Sequence, residues 1–280
     1  MPSKTALLTC ALCSALFPAL AHDGDFSLDS IENPSTDYLS VNASVSYESE
    51  YVFRAQKRAS FSIRPSLDLS YQILGFDAYA GILINQPLKG QLNAEGELVN
   101  LQQLDAYAGL LYGYGPVTFD VGYVYYWYCG ETPGRSRDSE IFVGASLDLA
   151  TFLDGLNITP SLYYYYDFEL LRNTLEASIS YEHYLDELLP VEGFSVPIRI
   201  YYGYTPSERV NGDQCYGQSN MHSSYMYFGA SIDLAYRICD YSSIRIGLRY
   251  SQAFNGSGID PNYSTSQRNI WYGVSLKFGF

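Results

Sequence analysis

The chain has 280 residues with 30 acidic and 16 basic side chains, a net charge of −14 that argues against a nucleic-acid partner. Only 16% of the residues are charged, 29 are Tyr and 23 are Gly. Beyond residue 21 there is no uninterrupted apolar run of roughly 18 residues, which excludes a transmembrane helix and leaves strands as the only route across a membrane.

At the amino terminus Lys4 precedes an apolar run from Ala6 to Leu20 that ends in Ala19-Leu20-Ala21, the pattern of a secretory signal peptide with a small-x-small cleavage site. Acidic sequence follows at once, at His22-Asp-Gly-Asp25. Residues 1–21 are therefore expected to be a signal peptide and 22–37 a flexible periplasmic segment. Removal of Lys4, with no acid, takes the net charge to −15. Cys10 and Cys13 leave with the peptide, and Cys129, Cys215 and Cys239 remain, so at most one bridge can form.

From residue 38 the chain alternates with a period of two. Over 38–54, Leu39, Val41, Ala43, Val45, Tyr47, Tyr51 and Phe53 share one face, while Ser44, Ser46, Glu48, Glu50 and Arg54 share the other. Over 58–73, Ala59, Phe61, Ile63, Leu67 and Leu69 oppose Arg58, Ser62, Arg64 and Asp68. The same pattern recurs over 76–85, over 102–114, after Gly115-Pro116, and up to Leu149 in the sixth segment. It continues over 157–168, over 172–181, and in segments marked by Ile198, Phe228 and Ile246. The twelfth segment, 268–280, ends on Phe280, with Ile270, Tyr272, Val274, Leu276 and Phe278 on its apolar face.

These twelve segments predict an all-β fold, a transmembrane antiparallel up-and-down β-barrel over 38–280 with both termini periplasmic; a soluble β-sandwich is the competing class. Connections after even-numbered strands are mostly short, as at Gly75 and Gly115, and several after odd-numbered strands are long and polar. Short periplasmic turns and long outer loops are the expected asymmetry. Outward aromatics sort into two girdles, Tyr71, Phe76, Tyr114, Phe119, Tyr236 and Phe280 on the periplasmic side, and Tyr51, Phe53, Trp127, Tyr166, Phe168, Tyr204 and Tyr272 on the outer side.

Ser49-Glu-Tyr-Val-Phe-Arg54, with the strands at Pro65 to Tyr71 and Gly75 to Gly81, resembles the opening of a largely uncharacterised family of Gram-negative outer-membrane porins. The segment Asp240 to Tyr250 is similar to that family's later strands. Family members typically carry Gly where this chain has Ala55. The resemblance implies a pore-type barrel in the outer membrane and supplies neither a substrate nor site residues.

With polar parity inward, the lumen is expected to hold Glu48, Asp68, Asp105, Asp120, Asp148, Asp167, Glu176 and Asp233 with Arg64, Arg199, Arg245, Arg249 and Lys277. Inward Tyr79, Tyr107, Tyr126, Tyr163, Tyr165, Tyr201 and Tyr227 should narrow it. Position along the strands singles out Arg64, Asp68, Glu176, Arg199, Asp233, Arg245 and Arg249 as constriction candidates. The expected function is a porin-like channel for passive diffusion of small hydrophilic solutes or ions, with a structural or adhesive surface barrel as the alternative.

An enzyme is not expected: His222 and Ser224 share a strand face, as in an outer-membrane lipid hydrolase, but no third residue orients them. No metal and no cofactor are expected. The expected partners are outer-membrane lipid, lipopolysaccharide, and the barrel-assembly machinery, which would read the closing strand that ends at Phe280. Cys129 and Cys215 both fall in outer loops, so a bridge between them is open.

Overall fold

In the computed structural model the described residues are 39–89, 91–92, 98–99, 102–129, 137–153, 156–169, 171–186, 192–206, 225–254 and 268–280. The expected signal peptide and the 22–37 segment lie outside them, as do Cys215, His222 and Ser224, and the Cys129 side chain is not described. The strands in chain order are β1 (Leu39–Phe53), β2 (Gln56–Ile73), β3 (Phe76–Lys89), β4 (Gln91–Leu92), β5 (Leu98–Val99), β6 (Gln102–Tyr114) and β7 (Val117–Cys129). They continue with β8 (Arg137–Leu147), β9 (Ile158–Asp167), β10 (Arg172–Tyr184), β11 (Phe194–Thr205), β12 (Tyr225–Cys239), β13 (Ser242–Phe254) and β14 (Arg268–Gly279).

Twelve of these close into one antiparallel barrel, and β4 with β5 forms a separate two-stranded ribbon. Closure runs through β1 and β14, from Asn42↔Gly279 to Glu48↔Gly273, so every barrel strand has two neighbours and the start of β1 lies at the same end as the end of β14. A closed sheet of this kind has no second sheet to pack on, which rules out the sandwich. Its sidedness is inverted relative to a soluble protein: Leu69, Val121, Val143, Ile179, Ile232 and Leu248 are exposed on the outside, while Asp68, Asp120, Ser146, Ser178, Asp233 and Arg249 are buried inside. The girdle aromatics Tyr71, Phe76, Tyr114, Phe119, Trp127, Phe168, Tyr204, Tyr272 and Phe280 are exposed on the outside as well.

The interior wall is assembled from large side chains set opposite glycines. Gly81↔Tyr107, Tyr79↔Gly109, Gly122↔Phe142, Gly144↔Tyr163, Gly203↔Tyr227 and Tyr201↔Gly229 are direct cross-strand partners. A Cβ at any of these glycines would fall on the partner ring. Each ring therefore lies along the wall over bare backbone rather than standing out toward the barrel axis.

Tight turns join strands at the end where β1 starts and β14 ends. Ile73 and Phe76 are joined by Leu74 and Gly75, both at positive φ (52° and 84°), the geometry of a two-residue hairpin turn. Leu74 is 93% exposed, so nothing packs against it to offset the left-handed backbone. Replacing Leu74 with Asn, which tolerates this region, is expected to stabilise the barrel by about 0.5–1 kcal/mol in equilibrium urea unfolding; a loss of stability would show that Leu74 anchors the turn.

Three departures from strict alternation were not legible. First, Tyr51, Phe53 and Ala59 are buried at 1–3% exposure inside the barrel, not on its outer surface. The β1–β2 ladder omits a pair between Glu48↔Ser62 and Glu50↔Ser60 and shifts register at Tyr51/Val52, and Phe61 has φ +52°. Both parities are buried beyond this point, Val52 and Arg54 as well as Tyr51 and Phe53, so this stretch no longer has an outward face. Second, the sixth predicted strand stops at Leu147: Asp148, expected in the lumen, instead caps a 3-10 turn at Leu149–Thr151, accepting from the Ala150 amide at 2.9 Å, which removes Leu149 from the outward row. Third, β3 runs on to Lys89 because the long β2 offers it partners, at Ser62↔Pro87 and Ser60↔Lys89.

Candidate functional site

The inner wall has two unlike sides. Strands β3 and β6 to β9 contribute a continuous buried cluster of Tyr79, Leu83, Tyr107, Leu111, Val124, Tyr126, Phe142, Tyr163 and Tyr165. Strands β10 to β14 and β2 contribute the buried arginines Arg64, Arg245 and Arg249, whereas buried carboxylates occur on both sides, Asp105, Asp120 and Glu140 among the aromatics and Asp68 and Asp233 among the arginines. Tyrosine hydroxyls hold the carboxylates: Tyr79 and Tyr163 donate to Asp120 at 2.8 and 3.3 Å, Tyr227 donates to Glu176 at 2.7 Å, and Tyr107 on β6 joins the two sides by donating to Asp68 on β2. Buried carboxylates that accept such bonds are held in place rather than left swinging in the lumen.

All seven constriction candidates face the interior, but they form three groups and one separate residue instead of one ring. Arg249 forms an ion pair with Asp233 at 3.2 Å and lies 3.7 Å from Glu48, with all three side chains at most 4% exposed. Register explains this grouping: Glu48↔Gly273, Gly273↔Gly247 and Gly247↔Asp233 lie in one row, so both carboxylates lean over bare backbone toward Arg249. Arg199 pairs with Glu176 at 3.1 Å on adjacent strands. Arg64 and Asp68 stay on the β2 wall, with the Arg64 guanidinium 4.9 Å from the Tyr51 ring centroid. Arg245 is buried in a separate position, opposite Ala235 and Ser275.

A further part of the interior comes from the turn between β1 and β2, outside the seven constriction candidates. Beyond Glu48, β1 no longer pairs with β14, although β14 continues to pair with β13 back to Arg268. The far half of the β1–β2 hairpin therefore leaves the wall as a two-stranded ribbon, turning at Arg54 and Ala55 with φ of 47° and 61°. Val52, Phe53, Arg54 and Ala55 are all at most 3% exposed, a burial that a ribbon tip reaches only by lying inside the lumen.

The tip meets the opposite wall with charge-assisted geometry. Both terminal nitrogens of Arg54 bond to both carboxylate oxygens of Glu140 on β8, at 2.7 and 2.9 Å, a bidentate fork at 3% and 2% exposure. Tyr126 donates to the same carboxylate at 3.1 Å. The guanidinium also lies 4.9 Å from the ring centroids of Phe53 and Tyr165. Beside it Arg58 stacks on Phe53 at 3.8 Å and donates to Gln103, which in turn donates to Asp105 at 2.7 Å. Ala55 packs with Tyr201, Tyr227 and Ala253, and its carbonyl accepts from Asn269 at 3.2 Å. The tip thus touches β6, β8, β9 and β11 to β14.

Glu140 was reachable from sequence, since counting back one residue from outward Ile141 puts it inside. Nothing in the alternation of 38–54 pointed to the infolded tip. The segment 49–54 contained the signal, and the structure gives each part of it a contact: the Ser49 hydroxyl accepts from the Tyr272 amide at 3.0 Å, Glu50 pairs with Lys57 at 2.5 Å, and Tyr51 reaches Gln103 at 3.4 Å. Ala55 at φ +61° stands where the family it resembles typically carries Gly, the residue such a backbone favours.

No family model and no curated protein matches the chain. Among solved structures, an outer-membrane channel from Pseudomonas putida F1 matches with a TM-score of 0.55 at 12% identity, over 88% of this chain and 99% of that one. The chain shares the fold of an outer-membrane channel. The Pseudomonas putida toluene transporter TodX matches at a TM-score of 0.47 and 11% identity, over 92% of this chain and 95% of that one. The KdgM porin matches at 0.45 and 9%, over 86% and 99%. At these identities the likeness is one of fold.

Proposed function

We propose that the protein is an outer-membrane channel that passes small hydrophilic solutes or ions through a narrow charged lumen. The observation that carries this reading is the inverted barrel: a closed wall, apolar outside, whose interior holds opposed charges at Arg54–Glu140, Arg199–Glu176 and Arg249–Asp233. Ionisable groups set inside a membrane barrel are costly to keep there, which favours a role in the passage of polar solutes. Opposed charges across a narrow lumen produce a transverse field and a size limit. The expected signal peptide over 1–21 would deliver the chain to the periplasm, from which the barrel inserts. The test is single-channel recording of refolded protein in planar bilayers. Discrete openings of low conductance are expected, and a correctly folded barrel that stays silent would overturn the reading.

A further inference from the structure

We propose that the infolded β1–β2 hairpin is a hinged gate, latched shut by the Arg54–Glu140 pair; this rests on the channel reading. The ribbon keeps its own ladder out to Phe53↔Gln56, so it can move as one body. Its root has the features of a hinge: the β1–β14 ladder stops at Glu48, the β2–β3 ladder stops at Ser60↔Lys89 with Phe61 beside it at φ +52°, and the ribbon free of both neighbours runs from Tyr51 to Ala59. Ser49 accepting from the Tyr272 amide marks the point where ribbon and wall part.

What fixes the tip's position across the lumen is a set of directional polar contacts. The fork from Arg54 to Glu140, the Asn269 bond to the Ala55 carbonyl and the Tyr51 and Arg58 bonds to Gln103 can all be exchanged for water when the ribbon swings toward the mouth. The tip also has an apolar seat, with Ala55 among Tyr201, Tyr227 and Ala253 and the Phe53 ring 6.2 Å from that of Tyr126; this seat is not directional, whereas the polar contacts fix where the tip rests. Swinging out would clear the space in front of Glu140, Tyr126 and Tyr165, which the Arg54 guanidinium now occupies. The closed position is thus set by one bidentate pair, and the hinge lets its loss act without dismantling the wall.

The gate is tested on refolded full-length protein carrying Ser at the five native cysteines and Cys in place of Ala55, with and without Glu140→Gln. A membrane-impermeant maleimide should label position 55 slowly with Glu140 present and at least ten-fold faster with Glu140→Gln, and open-channel occupancy in planar bilayers should rise several-fold. The reciprocal exchange Arg54→Glu with Glu140→Arg should return both readouts toward the starting values. Equal labelling rates with and without Glu140→Gln would overturn the latch whatever the conductance. Faster labelling of a channel whose conductance does not change would overturn the gate. Faster labelling with every variant electrically silent would leave the latch standing and overturn the channel reading instead. If Glu140→Gln does not fold, Arg54→Lys serves, since a lysine keeps the charge but loses the fork. Unchanged labelling in that folded variant would also overturn the latch.

Discussion

Replacing Arg249 with Met is expected to destabilise the barrel by about 3–5 kcal/mol in equilibrium urea unfolding, because it leaves two buried carboxylates without the cation between them. Asp233 forms an ion pair with Arg249 at 3.2 Å and Glu48 approaches it at 3.7 Å. Both acids are directed to it by the glycine row Gly273 and Gly247, where a Cβ would collide with the Glu48 and Asp233 carboxylates. Neither acid has a nearby route to bulk water, and the two negative charges then repel each other across the same gap. The triple substitution Arg249→Met, Glu48→Gln and Asp233→Asn removes charge from all three positions, so most of the lost stability should return. A single Arg249→Met variant as stable as the wild type would show that the cluster is solvated and contributes little.

The second large effect is expected at Gly203, where Ala should cost about 1–3 kcal/mol by overpacking. A Cβ there would land on the Tyr227 ring, and Tyr227 is fully buried, with its hydroxyl donating to Glu176 at 2.7 Å. The ring cannot retreat without losing that bond and disturbing the seat of the hairpin tip, since Tyr227 packs against Ala55. Gly203→Ala should therefore also speed maleimide labelling of a Cys at position 55, linking a wall substitution to the lumen contact. The cost should fall when Tyr227 is itself replaced with Ala, a coupling that a double-mutant cycle in urea unfolding would measure. Strictly additive costs would mean that the ring and the glycine do not share the space.

The amino-acid sequence by itself determined the number of barrel strands, the barrel's sidedness and its seam. A strand's period of two requires only local residues, and a closed barrel in lipid leaves one choice for which parity faces outward, so Leu69 against Asp68 or Ile232 against Asp233 was readable without a partner in view. The inward tyrosines followed from the same count. Their glycine partners did not, because Gly203 meets Tyr227 only through the register between β11 and β12. The grouping of charges was hidden for the same reason: Arg249 lies near Glu48 through closure of the sheet, at a distance in sequence that no periodicity spans.

Only the tertiary structure decided that Tyr51 to Ala55 leave the wall. Alternation placed Tyr51 and Phe53 outside, and with β1 parted from β14 beyond Glu48 and the register shifted at Tyr51/Val52 both lie inside. Register slips of this kind depend on what the displaced residues find elsewhere. Here they find Glu140 on β8, Gln103 on β6 and the tyrosines of β11 and β12, strands on the far side of a closed lumen. A local pattern reports which face a strand offers, and where a strand abandons the sheet is settled by contacts that exist only once the barrel has closed.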